Sequence, residues 1–236
     1  WALAGQFNYD ITSQLELTGA LRYDHDTRES FDPTNKTDTY AKKSFSQLQP
    51  KVTLGYQVTD DFLLYTGYSH GFRSGGFNEP AEGISRTFNQ EVSDSYEMGF
   101  KTSLFDSKVT LNGAAFIIDQ DDAQFTQFNV DTFTLENLSI DEVQTKGLEL
   151  EAAYAATSNL SINLSAGIID SEIKSFALRP ELTGRPQFWV PEYNYSISAN
   201  HNTQLNGQWS LFSRAEVLIE GPKTFSIDIP DVESSR

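Results

Sequence analysis

Trp1-Ala2-Leu3-Ala4-Gly5-Gln6-Phe7-Asn8-Tyr9-Asp10-Ile11 sets Trp, Leu, Gly, Phe, Tyr and Ile on odd positions, with Ala, Ala, Gln, Asn and Asp between them. Successive side chains of a β-strand point to opposite faces, so this period of two predicts a strand with one apolar and one polar face. The next segment repeats it: Leu15, Leu17, Gly19, Leu21 and Tyr23 share one face, and Glu16, Thr18, Ala20, Arg22 and Asp24 the other. Thr12-Ser13-Gln14 between the two is short and polar, as a tight turn requires.

The same unit recurs four more times, around Thr59-Asp60-Asp61, Asp106-Ser107-Lys108, Thr157-Ser158-Asn159 and Asn206-Gly207-Gln208. About ten strands result, with all the tight turns at one end. The opposite ends are joined by longer polar stretches, read as loops over Thr27 to Lys43, Ser74 to Glu91, Gln120 to Leu138 and Ser175 to Arg185. Short turns on one side and long loops on the other, between two-faced strands, form the pattern of an outer-membrane barrel. The apolar face continues through Leu54, Tyr56, Met98, Phe100, Leu148, Leu150, Ile168, Tyr195 and Val217. A soluble β-sandwich gives the same alternation, but many runs here exceed its usual strand length of about 5 to 6 residues.

Composition agrees. The 236 residues are 13% aromatic, with 17 Phe and 10 Tyr, yet the mean hydropathy is only -0.43. No run approaches the roughly 18 apolar residues of a membrane helix. Zero Cys excludes disulfides, thiol catalysis and cysteine metal sites. The 33 acidic and 17 basic residues give a net charge of -16, which argues against nucleic acid as a partner. Trp1 opens inside a strand pattern and no signal sequence precedes it, so the chain reads as part of one barrel domain over residues 1–236.

Tyr65-Thr66-Gly67-Tyr68-Ser69-His70-Gly71-Phe72-Arg73-Ser74-Gly75-Gly76-Phe77-Asn78 resembles the aromatic, Gly-Phe-Arg/Lys-x-Gly-Gly-Phe-Asn strand of TonB-dependent outer-membrane receptors of the siderophore-receptor type. Two further places match in the family's order. Ser95-Tyr96-Glu97-Met98-Gly99-Phe100-Lys101 resembles its "YE-x-G-x-K" strand, and Lys146-Gly147-Leu148-Glu149-Leu150-Glu151 its "KG-x-E-x-E" strand. The resemblance implies an all-β fold: an antiparallel transmembrane β-barrel segment, about ten up-and-down strands of an expected 22, near positions 10 to 19. No residue matches the family's plug domain, TonB box or closing strand. The implied function is TonB-dependent uptake of a scarce nutrient, with a ferric siderophore as the commonest ligand. Its implied partners are outer-membrane lipid, the plug and remaining strands of its own chain, and the TonB complex. No cofactor is implied, iron entering only within a transported ligand.

Charged residues on the polar face would be costly against lipid, so Glu16, Glu97, Lys101, Glu149, Glu151, Arg214 and Glu216 are expected to face the lumen and a plug. Ligand contacts are expected where a strand runs up into its loop: His70, Arg73, Phe77 and Asn78, with Arg22 and His25 on a neighbouring strand top. The planar guanidinium fork suits carboxylate or catecholate oxygens. Asp24-His25-Asp26 and Asp119-Gln120-Asp121-Asp122 lack any recognised metal spacing, and no metal site is assigned. The rival readings are a small ten-stranded barrel enzyme resembling the omptin proteases, supported only by the strand number and the Asp24-His25-Asp26 run, and a soluble β-sandwich binding domain. No nucleophile elbow, phosphate loop or nucleotide fingerprint suggests another enzyme.

Overall fold

The computed structural model describes residues 1–33, 40–81, 83–129 and 133–225, together with the backbone of Glu233–Ser234. Its strands are β1 (Ala2–Asp10), β2 (Leu15–Ser30), β3 (Ala41–Thr59), β4 (Phe62–Arg73), β5 (Gly76–Phe77), β6 (Thr87–Phe88), β7 (Glu91–Leu104), β8 (Val109–Asn129), β9 (Thr134–Ala155), β10 (Leu160–Ser175), β11 (Tyr193–Asn206), β12 (Trp209–Glu220), β13 (Lys223–Thr224) and β14 (Glu233–Ser234), with one 3-10 turn at Pro180–Leu182. Ten of them form one antiparallel sheet in the order β1-β2-β3-β4-β7-β8-β9-β10-β11-β12, and β5-β6 and β13-β14 are separate two-residue ladders.

All five tight turns lie at one end of this sheet, and three share a local chemistry. The Thr12 hydroxyl accepts from the N–H groups of Gln14 and Leu15 at 3.2 and 3.0 Å. Thr157 does the same for Asn159 and Leu160 at 3.2 and 3.0 Å, and the Asn206 side-chain oxygen for Gln208 and Trp209 at 3.0 and 3.1 Å. A short polar side chain thus satisfies the backbone donors that each reversal frees.

Directly paired residues of antiparallel strands face the same side, so the register can be followed across the wall. One row runs Tyr9, Leu17, Leu54, Thr66, Met98, Ala115, Leu148, Ile168, Tyr193. The neighbouring row runs Asp10, Glu16, Gly55, Tyr65, Gly99, Ala114, Glu149, Gly167, Asn194, Glu220. Both start at the tight-turn end of β1 and finish near the loop end of β11, which is the stagger a tilted barrel wall requires. The first row is open to its surroundings, with Met98 at 64% and Leu148 at 60% exposure. A sandwich would cover that face with a second sheet, and among the described residues nothing does. On β2 the apolar run Leu15 to Tyr23 covers roughly 27 Å of strand, about 20 Å along the normal at a tilt of about 40°. Aromatic pairs mark its loop-end edge: Trp1–Tyr23 at 5.4 Å, Tyr68–Tyr96 at 5.3 Å and Tyr193–Tyr195 at 5.3 Å.

The loop boundaries differ from those read in the sequence. The stretch Gln120 to Leu138 is mostly strand, because β8 reaches Asn129 and β9 starts at Thr134. Thr27 to Ser30 and Ala41 to Lys43 likewise belong to β2 and β3, and the loop after β10 continues to residue 192. The buried core lies in these extensions. Ala123, Leu138, Ile140, Val143, Ile173, Phe176, Leu182 and Phe188 form one cluster, against which Phe125 packs. The alternation changes phase on the way up: Leu138, Ile140 and Val143 are all buried, while Asp141 and Glu142 are both exposed. At that level Asp122 adopts a left-handed φ of 54° and neither it nor Asp141 pairs in the ladder. The Asp141 carboxylate instead accepts the N–H of Ala177, fixing the start of the loop after β10.

Candidate functional site: a polar wall under a crossbar

The polar rows bring together the residues expected there. Glu16, Glu97 and Lys101, with Lys51 and Tyr65, line a concavity of about 680 Å³ on β2, β3, β4 and β7. Glu151, Arg214 and Glu216 line a second, of about 360 Å³, and Glu149 stands on the same face. Within this wall three arginines are matched to carboxylates. Arg214 pairs with Glu216 at 2.7 Å and donates to Asn200 at 3.2 Å. Lys101 Nζ lies 5.9 Å from the centre of the Tyr65 ring. Higher on β2, Arg22 grips both oxygens of Asp24 at 2.6 and 2.7 Å, and Gln49 donates to the same carboxylate at 2.5 Å. Arg28 closes the row on Asp26 at 2.7 Å.

Arg73 is different. It shares the polar face at the top of β4, paired in register with Glu91, it is exposed, and its guanidinium has no hydrogen bond or ion pair among the described residues.

Residues 74–81 and 83–90 cross above this wall and tie its two tall hairpins together. Gly75 and Gly76 press against aromatic rings: a Cβ on Gly75 would lie 2.6 Å from Phe45 and 2.6 Å from the Phe88 carbonyl, and one on Gly76 2.6 Å from the Phe88 ring. Asn78 is 2% exposed. Its amide nitrogen donates to the carbonyls of Ser85 and Asn137 at 2.9 and 3.0 Å, and its oxygen accepts from the Asn137 N–H at 2.8 Å. Arg86 donates to the Asn78 carbonyl, to Ser30 on β2 at 3.1 Å, and lies 5.6 Å from the Phe77 ring centre. On the other side, Asn89 bonds Asp122 at 2.9 Å and Ser139 at 3.1 Å. Gln124 donates to the carbonyls of Ser74 and Asn89, each at 3.0 Å, and its own N–H bonds Glu91 at 2.7 Å.

The other expected ligand contacts stand in different settings. Asn78 is spent on holding the crossbar to β9. His25 stands in the row of Tyr23, opposite Ser46 and stacked on Trp1 at 5.6 Å, on the outward side of the sheet. The pleat therefore separates it from Asp24 and Asp26. His70 lies in a part-buried network with Asp94 and Gln47. Phe77 is half-buried in the crossbar. Arg86 and Gln124, which help build the roof, carry no motif or periodicity that singles them out, and the Asn-x-Ser triplet at Asn137 does not point to this role. Among the described residues no group of three or more His, Asp or Glu side chains could hold a metal ion.

Known proteins show the same architecture. The chain is 27% identical to the pesticin receptor of Yersinia enterocolitica over 234 residues, covering 96% of this chain and 34% of that protein. The chain thus spans about a third of the relatives' length. The ferric yersiniabactin uptake receptor FyuA from Yersinia pestis superimposes with a TM-score of 0.77 at 24% identity, over 99% of this chain and 36% of that one. The siderophore receptor PiuA from Acinetobacter baumannii gives 0.70 at 16% identity, over 94% and 33%. Residues 1–226 match the model of the TonB dependent receptor-like β-barrel, and the chain belongs to that family.

Proposed function

We propose that this chain forms part of the wall, lumen lining and extracellular apex of an outer-membrane receptor, which takes up a scarce chelate by TonB-dependent transport and performs no catalysis. The apolar rows meet lipid. The polar rows meet the plug domain and remaining strands of the same protein, and the TonB complex acts through a part of that protein outside this chain. A ferric siderophore is the favoured cargo, since the pesticin receptor, FyuA and PiuA are named for uptake or receptor roles and two of those names specify siderophores or a ferric chelate. The separation of His25 from Asp24 and Asp26 by the pleat supports the non-enzymatic reading over a rim protease.

The observation that carries the reading is Arg73: an unengaged guanidinium on an inward face whose other arginines are paired, placed where a strand enters the apex. An anionic chelate offers the oxygens it lacks. A charge-assisted hydrogen bond contributes about 1.5 to 3 kcal/mol, so Arg73→Ala in the full-length protein should weaken ligand binding by roughly 10- to 100-fold. Uptake of radiolabelled ferric chelates by cells carrying the wild type or Arg73→Ala, with Arg214→Ala as a wall control, tests it. Equal uptake by all three would remove Arg73 from the ligand site; absence of uptake of any ferric chelate by the wild type would remove the cargo.

A further inference from the structure

The outward face of the wall is not even. In one rung Ala115 stands between Met98 and Leu148, and in the rung below Ala166 stands between Leu150 and Tyr195. The longer side chains rise on either side of these two methyl groups and enclose an apolar furrow of about 580 Å³. Its walls are open on the side away from the sheet, where Met98, Leu148 and Ile168 are all exposed.

One rung further toward the loops, about 7 Å along the strands, Tyr96, Ile117, Lys146 and Asp170 are paired in register on the same face. The furrow thus passes from hydrocarbon to charge within a single rung, at the level where the Tyr68–Tyr96 pair marks the edge of the apolar band. In the next rung up the carboxylates are engaged. Asp94 accepts from Tyr68 and contacts His70, Gln144 donates to Asp119 at 2.8 Å, and Lys174 donates to Glu172. Lys146 is held less firmly. Its Nζ lies 3.5 Å from Asp170, the two side chains are 43% and 73% exposed, and Lys146 makes no hydrogen bond among the described residues.

We propose that this furrow seats an acyl chain of a phosphate-bearing lipid from the loop-side leaflet, with the phosphate on Lys146. The inference rests on the reading that the apolar rows meet lipid, and adds to it a fixed place and a headgroup chemistry. A chain lying in a furrow is contacted on three sides, so it gains more dispersion contacts than one passing a flat row. The Lys146 ammonium is a compact charge with three donors, which suits a phosphate in any orientation. Asp170 competes for the same ammonium. Its removal should therefore strengthen lipid binding, whereas a pair that merely holds the strands together would give the opposite sign.

Native mass spectrometry of the full-length protein in detergent, titrated with dipalmitoyl phosphatidic acid or with dipalmitoylglycerol, tests this. The wild type should hold the phosphate lipid roughly tenfold more tightly than its phosphate-free counterpart, as expected of a hydrogen bond to a charged group. Lys146→Gln should remove that preference and Asp170→Asn should increase it. Ala115→Leu combined with Ala166→Leu fills the furrow with side chains that a lipid face accepts, and should weaken the binding of both lipids. A wild type without the preference, a preference that persists in Lys146→Gln, or one that falls in Asp170→Asn would overturn the proposal. A protein that stays folded and dispersed without detergent would instead overturn the lipid-facing reading on which it rests.

Discussion

Replacing Asn78 by Ala separates two roles that a motif residue can have. Its carboxamide makes three well-formed bonds, at 2.9, 3.0 and 2.8 Å, to Ser85 and to both backbone groups of Asn137. At about 1 kcal/mol each, their loss costs roughly 3 kcal/mol, and partners left buried without bonds push the figure upward. The cost is local, because these bonds join the crossbar to β9 and leave the membrane ladders untouched. Residues 76–90 should therefore exchange hydrogen or be cleaved by protease roughly 100-fold more readily, while the folded barrel keeps its resistance to heat in detergent. Asn78→Asp should do no better, since it aims a second oxygen at two carbonyl groups. The reasoning fails if Asn78→Ala leaves the loop protected within a factor of three and abolishes ligand binding, since Asn78 would then serve a ligand instead of the scaffold.

Four other outcomes follow from the same geometry. Leu150→Arg, on the outward face, should cost about 2 to 4 kcal/mol in a urea titration of the vesicle-inserted protein, against under about 1 kcal/mol for Glu149→Gln one residue away on the inward face. Gly147→Ala would put a Cβ 2.4 Å from the Phe116 ring and 2.9 Å from the Ile168 carbonyl; a loss of about 1 to 3 kcal/mol should be partly recovered by adding Phe116→Leu, measured as a double-mutant cycle. Phe176→Ala should cost about 3 to 5 kcal/mol within the apical cluster, exposing residues 176–192 to protease before the wall unfolds. Arg179, bonded to Glu181 at 2.5 Å, holds that carboxyl below the usual carboxylate range; its stabilising contribution is present above that range and lost as pH falls through the depressed value, so exchange in the loop should rise below about pH 4 and Arg179→Ala should remove the effect.

The wall was legible because period-two alternation and short turns are local signals: Leu148 and Leu150 against Glu149 and Glu151 identify a face without knowledge of any partner. The apex was less so. Ala123, Phe125, Leu138 and Ile140 alternate too, but the intervening Gln, Thr and Asn made the stretch read as loop, and the change of phase at Asp122 and Asp141 has no sequence signature. The bonds of Asn78 to Asn137 were out of reach of a local reading, because that partner lies 59 positions away. For His25 the information was present: two residues after the outward Tyr23, the pleat already sends it outward, and the chemistry of an Asp-His-Asp run drew attention from its phase. Arg73 was singled out by its motif, yet its lack of a partner emerges only once Arg22 and Arg214 are seen to have theirs.

The phase step in the hairpin of β8 and β9 makes a single pair of strands answer to two solvents. Below Asp122 the odd positions Leu111, Ala115 and Ile117 follow the outward row; above it the odd positions Ala123 and Phe125 join the apical cluster. An apolar residue on an odd position of β8 thus stands on the outward face on one side of the step and in the core on the other. The tall part of the hairpin can consequently change its apolar content, length or partners through its own selection, provided the step is kept, while the bilayer continues to see an unaltered pattern.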